Sequence, residues 1–354
     1  MSRVVLKQVT KRYGDTFAVR GLDLDIREGE FLTLLGPSGC GKTTTLRMIA
    51  GFVLPSSGTV YLGDEDVTLL PPNKRDIGMV FQDYALFPHM TIGENIAFGL
   101  TERHIDKAAI SRRVKELLNL VQLADVESRY PPELSGGQQQ RIAVARAVAY
   151  SPRVLLMDEP LGALDLKLRE AMQTEIRQIQ QRLGTTTVYV THDQTEAMHM
   201  SDRIVVMKDG MIEQTGSAEE IYNRPRTRFV ADFIGQINLL DGVVVGRDGG
   251  FAVVEVNRLR VRIGAAPETS GKVTVGIRPQ HLALAVNGMA GAGCNVLPGC
   301  IKGRTFSGNL VHVEVALDGG QSVTIETRPE DVIGDAGTRV TVQWRPERGT
   351  VLTQ

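Results

Sequence analysis

Two glycine-rich turns hold most of the chemistry available to this 354-residue chain. The first, Gly36-Pro37-Ser38-Gly39-Cys40-Gly41-Lys42-Thr43 followed by Thr44, has the spacing GxxxxGK[ST]. Its glycines permit backbone angles that aim N–H groups at a phosphate, Lys42 places a point charge on the β- and γ-oxygens, and the Thr43 hydroxyl can ligand Mg²⁺. The apolar Thr33-Leu34-Leu35 before it and Leu46, Met48, Ile49 and Ala50 after it give the strand, loop and helix that the motif needs. The second turn is Leu134-Ser135-Gly136-Gly137-Gln138. Ser135 is a good N-cap for a helix carrying Ile142, Val144, Ala145 and Val148, so this turn also offers free N–H groups and a positive dipole end to an anion. One nucleotide's phosphates need one cradle. The economical reading of the second is that two copies of the chain act together.

Further groups stand in order along the chain. Val154-Leu155-Leu156-Met157 ends in Asp158-Glu159-Pro160, the pattern of a buried strand delivering two carboxylates at its C-terminal edge. Gln82 follows the run Ile77-Gly78-Met79-Val80-Phe81, and His192 follows Val188-Tyr189-Val190-Thr191. Leu161-Gly162-Ala163-Leu164-Asp165 reads as a turn into a helix, and Tyr13 lies in Lys11-Arg12-Tyr13-Gly14.

In this order the motifs resemble those of ATP-binding cassette (ABC) proteins, with LSGGQ as the family's signature. The resemblance implies a head-to-tail dimer in which the signature helix of one copy, through Ser135, Gly137 and Gln138, closes over ATP held in its partner's phosphate loop. It implies that Asp158 holds the Mg²⁺ shell and that Glu159 polarises the attacking water. Gln82 matches the Q-loop glutamine that touches Mg²⁺ and that water, His192 the switch histidine on the γ-phosphate, Asp165 the loop that communicates across the dimer, and Tyr13 the aromatic that stacks on adenine. Phosphoryl transfer is mostly placement and charge neutralisation, so a hydrolytic water needs such a positioning partner.

The elements that must position these groups are α/β. Strand patterns at Val4 to Val9, Ala18 to Ile26 and Phe31 to Leu35 precede the phosphate-loop helix, a mostly helical stretch runs from Asp106 to Val148, and strands then alternate with helices up to Ile221. The expectation is an ABC ATPase domain over 4–235 with a helical insertion at about 84–150. Near Gln236 the pattern changes to short alternating strands with glycine turns, at Val243 to Val245, Ala252 to Val256, Val273 to Ile277, Val311 to Leu317, Val323 to Ile325 and Val340 to Trp344. Residues 236–354 are therefore expected to form a smaller all-β barrel. Gly276-Ile277-Arg278-Pro279 resembles a motif of the OB-like regulatory domain of importer ATPases, with Gln280 where that family usually carries glutamate.

Composition narrows the function classes. With 40 Lys+Arg against 41 Asp+Glu, the net charge of −1 gives no general attraction to nucleic acid or anionic lipid. From Gln236 onward 12 Lys+Arg stand against 11 Asp+Glu with one Trp, so no nucleic-acid footprint marks the barrel; Arg258, Arg260 and Arg262 read as a solvated face. A DNA-repair or condensation type of signature ATPase would separate Thr43 from Asp158 by long heptad repeats, which this interval lacks. Three cysteines form neither a disulfide framework nor a zinc spacing, which fits a reducing cytosol. The opening Met1-Ser2-Arg3-Val4 runs straight into a strand with no secretory leader, and the longest stretch without Asp, Glu, Lys or Arg, Pro279 to Ile301, is broken by glycines, Asn287, Asn295 and Pro298.

The resemblance therefore implies a subunit peripheral to the cytoplasmic side of the inner membrane, partnered by a second copy of itself, two transmembrane permease subunits and, indirectly, a solute-binding protein. Phe81 to Phe98, with Tyr84, Leu86, Phe87, Pro88 and Met90, reads as an apolar loop, and in the family this region lines the groove for a permease coupling helix. Phe229 to Leu240 resembles spermidine/putrescine import ATPases most, with ferric-iron and phosphonate systems as rivals.

Overall fold

The computed structural model describes residues 2–352 except 163, 257, 265–268, 286–290, 292 and 333. The chain divides into two compact units, Met1–Ala218 and Glu219–Gln354. In the first, a six-stranded sheet runs in the order Met211–Gly216, Arg203–Lys208, Phe31–Leu35, Thr186–Thr191, Val154–Asp158, Ile77–Val80. All neighbours are parallel except the edge pair Met211–Gly216 with Arg203–Lys208. The three central strands are buried at every residue, which is why they read as unbroken apolar or Thr-containing runs. Alternate side chains feed two cores. Phe31, Leu155 and Met157 face one that also contains the helical middle of the chain, while Leu32, Leu34, Val154 and Leu156 face the other, shared with the phosphate-loop helix Lys42–Ala50.

A second, antiparallel sheet lies in this unit, ordered Thr16–Ile26, Val4–Tyr13, Ser57–Leu62, Glu65–Asp66. Both sheets converge on the phosphate-loop helix. The buried Arg75 sits at the C-terminal end of that helix and donates to Met48 O, Ile49 O, Leu70 O and Thr68 O at 2.7–3.0 Å. A cation there complements the negative end of the helix and satisfies carbonyls that the helix leaves open; burial pushes the guanidinium down to about 10.

The stretch after Gln82 corrects the loop reading of Phe81 to Phe98. Only its first part is irregular, because a helix begins at Ile92 and runs to Glu102, with Phe98 on it. Thr91 and Glu94 form a capping box: the Thr91 hydroxyl accepts from Glu94 N–H and the Glu94 carboxylate accepts from Thr91 N–H. Helices Lys107–Leu120 and Gly136–Ala147 complete the helical middle.

The short helices Ala218–Asn223, which begins at the last residue of the first unit, and Arg228–Phe233 lead into the second unit's closed barrel of Asn238–Asp248, Phe251–Val256, Leu259–Gly264, Gly349–Leu352 and Lys272–Ile277. A five-stranded sheet follows, ordered Ala283–Ala285, Arg339–Trp344, Asn295–Phe306, Val311–Leu317, Ser322–Thr327, and one apolar core joins it to the barrel. The unit divides from the first upstream of the composition change at Gln236. Arg278 explains why the intervening helices belong with the barrel: its buried guanidinium donates to Tyr222 O, Ala231 O, Gly235 O and Gln236 O and lies 4.2 Å from the Tyr222 ring centroid. Gln280 Nε2 donates to the Tyr222 hydroxyl at 2.7 Å.

Candidate active site

Parallel register brings the predicted groups to one edge of the six-stranded sheet. Leu35 is level with Thr191, Asp158 with Val190, and Val80 with Met157. The turns that leave these strand ends carry the phosphate loop, His192, Asp158-Glu159 and Gln82 in adjacent positions, the usual location of ligand chemistry in an open α/β sheet.

The phosphate loop is shaped by close backbone contacts. Gly41 has φ 103°, and a Cβ there would stand 2.4 Å from Ala18 O; one on Gly36 would stand 2.4 Å from Met207 O. Neither position admits a side chain. Pro37, Ser38 and Gly39 are exposed and Cys40 is buried. The buried Lys42 ammonium donates to Gly36 O at 2.7 Å and Pro37 O at 3.0 Å, which holds it inside the loop. Ala18 belongs to the hairpin partner of the strand that ends at Tyr13, so the contact with Gly41 also fixes that hairpin against the loop. Tyr13 is 53% exposed, with the Lys11 ammonium over its ring 5.0 Å from the centroid.

Thr43 Oγ1 donates to Asp158 Oδ1 at 3.0 Å. A hydroxyl and a carboxylate brought together in this way are hard oxygen donors of the kind Mg²⁺ takes alongside phosphate oxygens, so these residues fit that ion. Burial raises the Asp158 carboxyl above the ordinary aspartate range, with the Thr43 hydrogen bond acting the other way. Glu159 is held at φ 45°, a left-handed conformation unusual outside glycine, with its N–H on Val190 O at 3.0 Å. Its Oε2 lies 3.2 Å from His192 Nδ1, and the His192 side chain is 60% exposed. Gln82 is exposed beyond the end of Ile77–Val80, and Thr44 is half-buried on the phosphate-loop helix.

The signature turn is built otherwise. Ser135 Oγ accepts from Gln138 N–H at 3.4 Å and Gln138 Oε1 accepts from Ser135 N–H at 3.0 Å, while Gly137 is buried against Leu168. Ser135 and Gly136 are exposed. Among the described residues no hydrogen bond joins this turn to the phosphate loop of its own chain. Asp165 caps the helix Leu166–Leu183 by accepting from Leu168 N–H at 3.0 Å, so the cap and the Gly137 contact meet at one leucine. Ala163 of that turn lies outside the described residues.

Sequence motifs gave no sign of a network beside His192. The 3%-exposed Glu196 accepts from the Tyr189 and Thr191 hydroxyls, each at 2.7 Å, and faces Arg169 Nε at 3.9 Å. Arg169 also reaches Asp193 Oδ2 at 3.2 Å and Leu164 O at 2.9 Å, which ties the Asp165 turn to the His192 turn. Burial raises the Glu196 carboxyl and pushes the Tyr189 phenol well above its ordinary value.

Comparison with known proteins agrees with this geometry. A family model described as ABC transporter matches residues 19–162, and one described as TOBE domain matches 275–352. A protein of Acidothermus cellulolyticus named spermidine/putrescine import ATP-binding protein PotA is 46% identical, over 99% of this chain and 93% of its own length. The chain belongs to the ABC transporter family. PotA 1 of Pseudomonas aeruginosa is 48% identical over 92% of this chain and 90% of its own, and a Rhizobium etli protein named Fe(3+) ions import ATP-binding protein FbpC is 47% identical over 91% and 90%. The dimeric structure of MJ0796, an ABC transporter cassette, superposes with a TM-score of 0.55 at 36% identity, covering 61% of this chain and 98% of that one. The chain is an ATP-binding and ATP-hydrolysing subunit of an ABC transporter, with an α/β cassette followed by a β-barrel-containing unit. Among the described residues no helix is long and apolar enough to cross a membrane.

Proposed function

We propose that this chain powers polyamine import, with spermidine or putrescine as cargo, by hydrolysing MgATP between two copies of itself. The supporting observation is the extent of likeness to PotA proteins, 46–48% identity over nine-tenths or more of the chain. Ferric-iron import is the second reading, favoured by the FbpC relatives at 46–47% identity. Deleting the gene and measuring labelled spermidine and ferric-iron uptake at low external concentration separates the two. Lost spermidine uptake, restored by the wild-type gene and not by Lys42→Ala, supports the first; intact spermidine uptake with lost iron uptake contradicts it.

In this reading the phosphate loop from Gly36 to Thr44 binds the phosphates and Tyr13 stacks on adenine, a contact on the order of 1–3 kcal/mol. Thr43, Asp158 and Gln82 hold Mg²⁺, which supplies neutralisation of charge on the transferred phosphoryl group. Glu159 accepts a hydrogen bond from the attacking water and turns its lone pair toward the γ-phosphorus, while His192, 3.2 Å from Glu159, donates to a γ-oxygen. Ser135, Gly137 and Gln138 of the second copy complete the site, and Asp165 lies at the contact between copies. The permease subunits dock on the first unit near the Phe81 to Phe98 stretch, where a cavity of about 930 Å³ is lined by Glu94, Ala97, Lys107, Ile110 and Val114. The subunit then lies peripherally on the cytoplasmic face of the inner membrane. The ATPase function is carried within residues 4–235 and the regulatory function by 236–354, although residues 219–235 pack with the barrel through Arg278; a chain ending at Gly235 should still bind ATP, and loss of binding would make the barrel part of the catalytic fold.

A further inference from the structure

We infer that Arg146 is a positioning residue for hydrolysis: from the last turn of the signature helix it clamps the loop behind Gln82 in a left-handed bend, which sets where Gln82 stands. This rests on the assignment of Gln82 to the hydrolytic site. Two loop residues after Gln82, Tyr84 and Ala85 have φ 61° and 46°, the only adjacent pair of non-glycine residues with positive φ among the described residues. Such a bend is disfavoured by Cβ and carbonyl crowding, so something outside the loop must hold it. The Arg146 guanidinium does so. Its Nη1 donates to Ala85 O at 2.6 Å and its Nη2 to Tyr84 O at 2.9 Å, one planar fork on two consecutive carbonyls.

The remainder of the loop is fixed by a different group. The fully buried Asn95 accepts from Phe87 N–H at 2.8 Å and donates to Phe87 O, Met90 O and Thr91 O at 3.0–3.2 Å. The Arg146 guanidinium also lies 5.6 Å from the Phe87 ring centroid. Asn95 therefore anchors the downstream end, and the segment between it and Gln82 depends on Arg146. The clamp is carried by the rod that presents the signature. Gly136–Ala147 is twelve residues, about 18 Å at the usual rise, with Ser135 at one end and Arg146 at the other. Tyr84 itself is buried along this rod, its hydroxyl 4.0 Å from the Cβ position of Gly136. A displacement of the Ser135 end by a nucleotide on the second copy moves the bend behind Gln82 as one body.

The test measures steady-state hydrolysis and ATP affinity on the full chain. Arg146→Ala should lower kcat about tenfold or more while the Kd for ATP changes by less than about twofold, since Arg146 touches no phosphate group. Arg146→Lys, which can reach one carbonyl and not both, should fall between. Adding Ala85→Gly to Arg146→Ala should restore several-fold of the lost kcat, because glycine takes the left-handed φ without the Cβ penalty; a general loss of packing would gain nothing from it. Combined with Gln82→Ala, Arg146→Ala should cost no more than about twofold beyond Gln82→Ala alone. Wild-type kcat in Arg146→Ala, or losses that multiply in the double variant, would overturn the clamp. If Gln82→Ala alone leaves kcat unchanged, it is the assignment of Gln82 that fails. Should Arg146→Ala not retain ATP binding, Arg146→Lys is judged by the same kcat, rescue and double-variant criteria.

Discussion

At the phosphate loop, a Cβ on Gly41 would stand 2.4 Å from a carbonyl and Lys42 is buried on its own loop, whereas at the signature turn Ser135 and Gly136 are exposed and, among the described residues, Ser135 bonds within its own helix. Both are glycine-rich starts of helices with open N–H groups. One converges with Asp158, Glu159 and His192 on a sheet edge, and the other meets none of them through a hydrogen bond among the described residues. The difference fits the proposal that a single chain carries most of one site and, separately, the surface that closes the site of a second copy. Substitutions at the two turns should therefore fail in different ways.

The largest effect is expected at Glu159. Glu159→Gln should lower kcat by about 10²–10³-fold with ATP still bound, because the amide fills the site without accepting the water's proton in the same way; ATP hydrolysis and equilibrium ATP binding on one preparation check both halves. Ser135→Arg should lower kcat by roughly 10²-fold, the scale of losing preorganised donors, with the ATP affinity of the single chain unchanged within about twofold. Lys42→Ala should do the reverse at the level of binding, weakening ATP by about 10–100-fold through loss of charge-assisted contacts. A Ser135→Arg chain that loses ATP binding as Lys42→Ala does would erase the comparison.

Smaller effects separate strain from function within the phosphate loop. Gly41→Ala meets both φ 103° and the Ala18 carbonyl, while Gly39→Ala meets φ 80° and open space. Thermal unfolding should show the first destabilised by more than 2 kcal/mol and the second by about 1 kcal/mol. At Asp158 the sign is opposite. Its folded pKa lies above the unfolded value, so the ionised carboxylate is disfavoured by folding and stability falls as pH rises through the interval between them. Asp158→Asn should abolish hydrolysis while leaving Tm at pH 7 unchanged or up to about 3 °C higher.

Sequence reading reached those features whose physics is local. A phosphate loop, a two-acid strand end and an N-capping serine each lie within a few residues, and alternating burial in Val311–Leu317 follows the period-two pattern directly. The helix at Ile92 departs from the loop expected over Phe81 to Phe98: its start is encoded by the Thr91 and Glu94 capping box, while the apolar residues and Pro88 before it carry no helical period. The partners of Arg75, Arg146, Arg169 and Arg278 are illegible in the sequence for another reason. Each guanidinium binds carbonyls or carboxylates brought together by tertiary folding, as Arg146 does with residues 61 and 62 positions away, and no spacing rule encodes such a partner.

The central claim is that the signature of one copy closes the phosphate loop of another, and disulfide trapping between differently labelled chains tests it most directly. One chain carries Ser38→Cys and the other Ser135→Cys, both with Cys294→Ser and Cys300→Ser, and they are mixed, given ATP without turnover through Glu159→Gln, and oxidised. The account predicts a cross-linked species of twice the chain mass that needs both variants and ATP. Its absence from the ATP-loaded mixture, or a Ser38→Cys/Ser135→Cys double variant that closes only within its own chain, would contradict it.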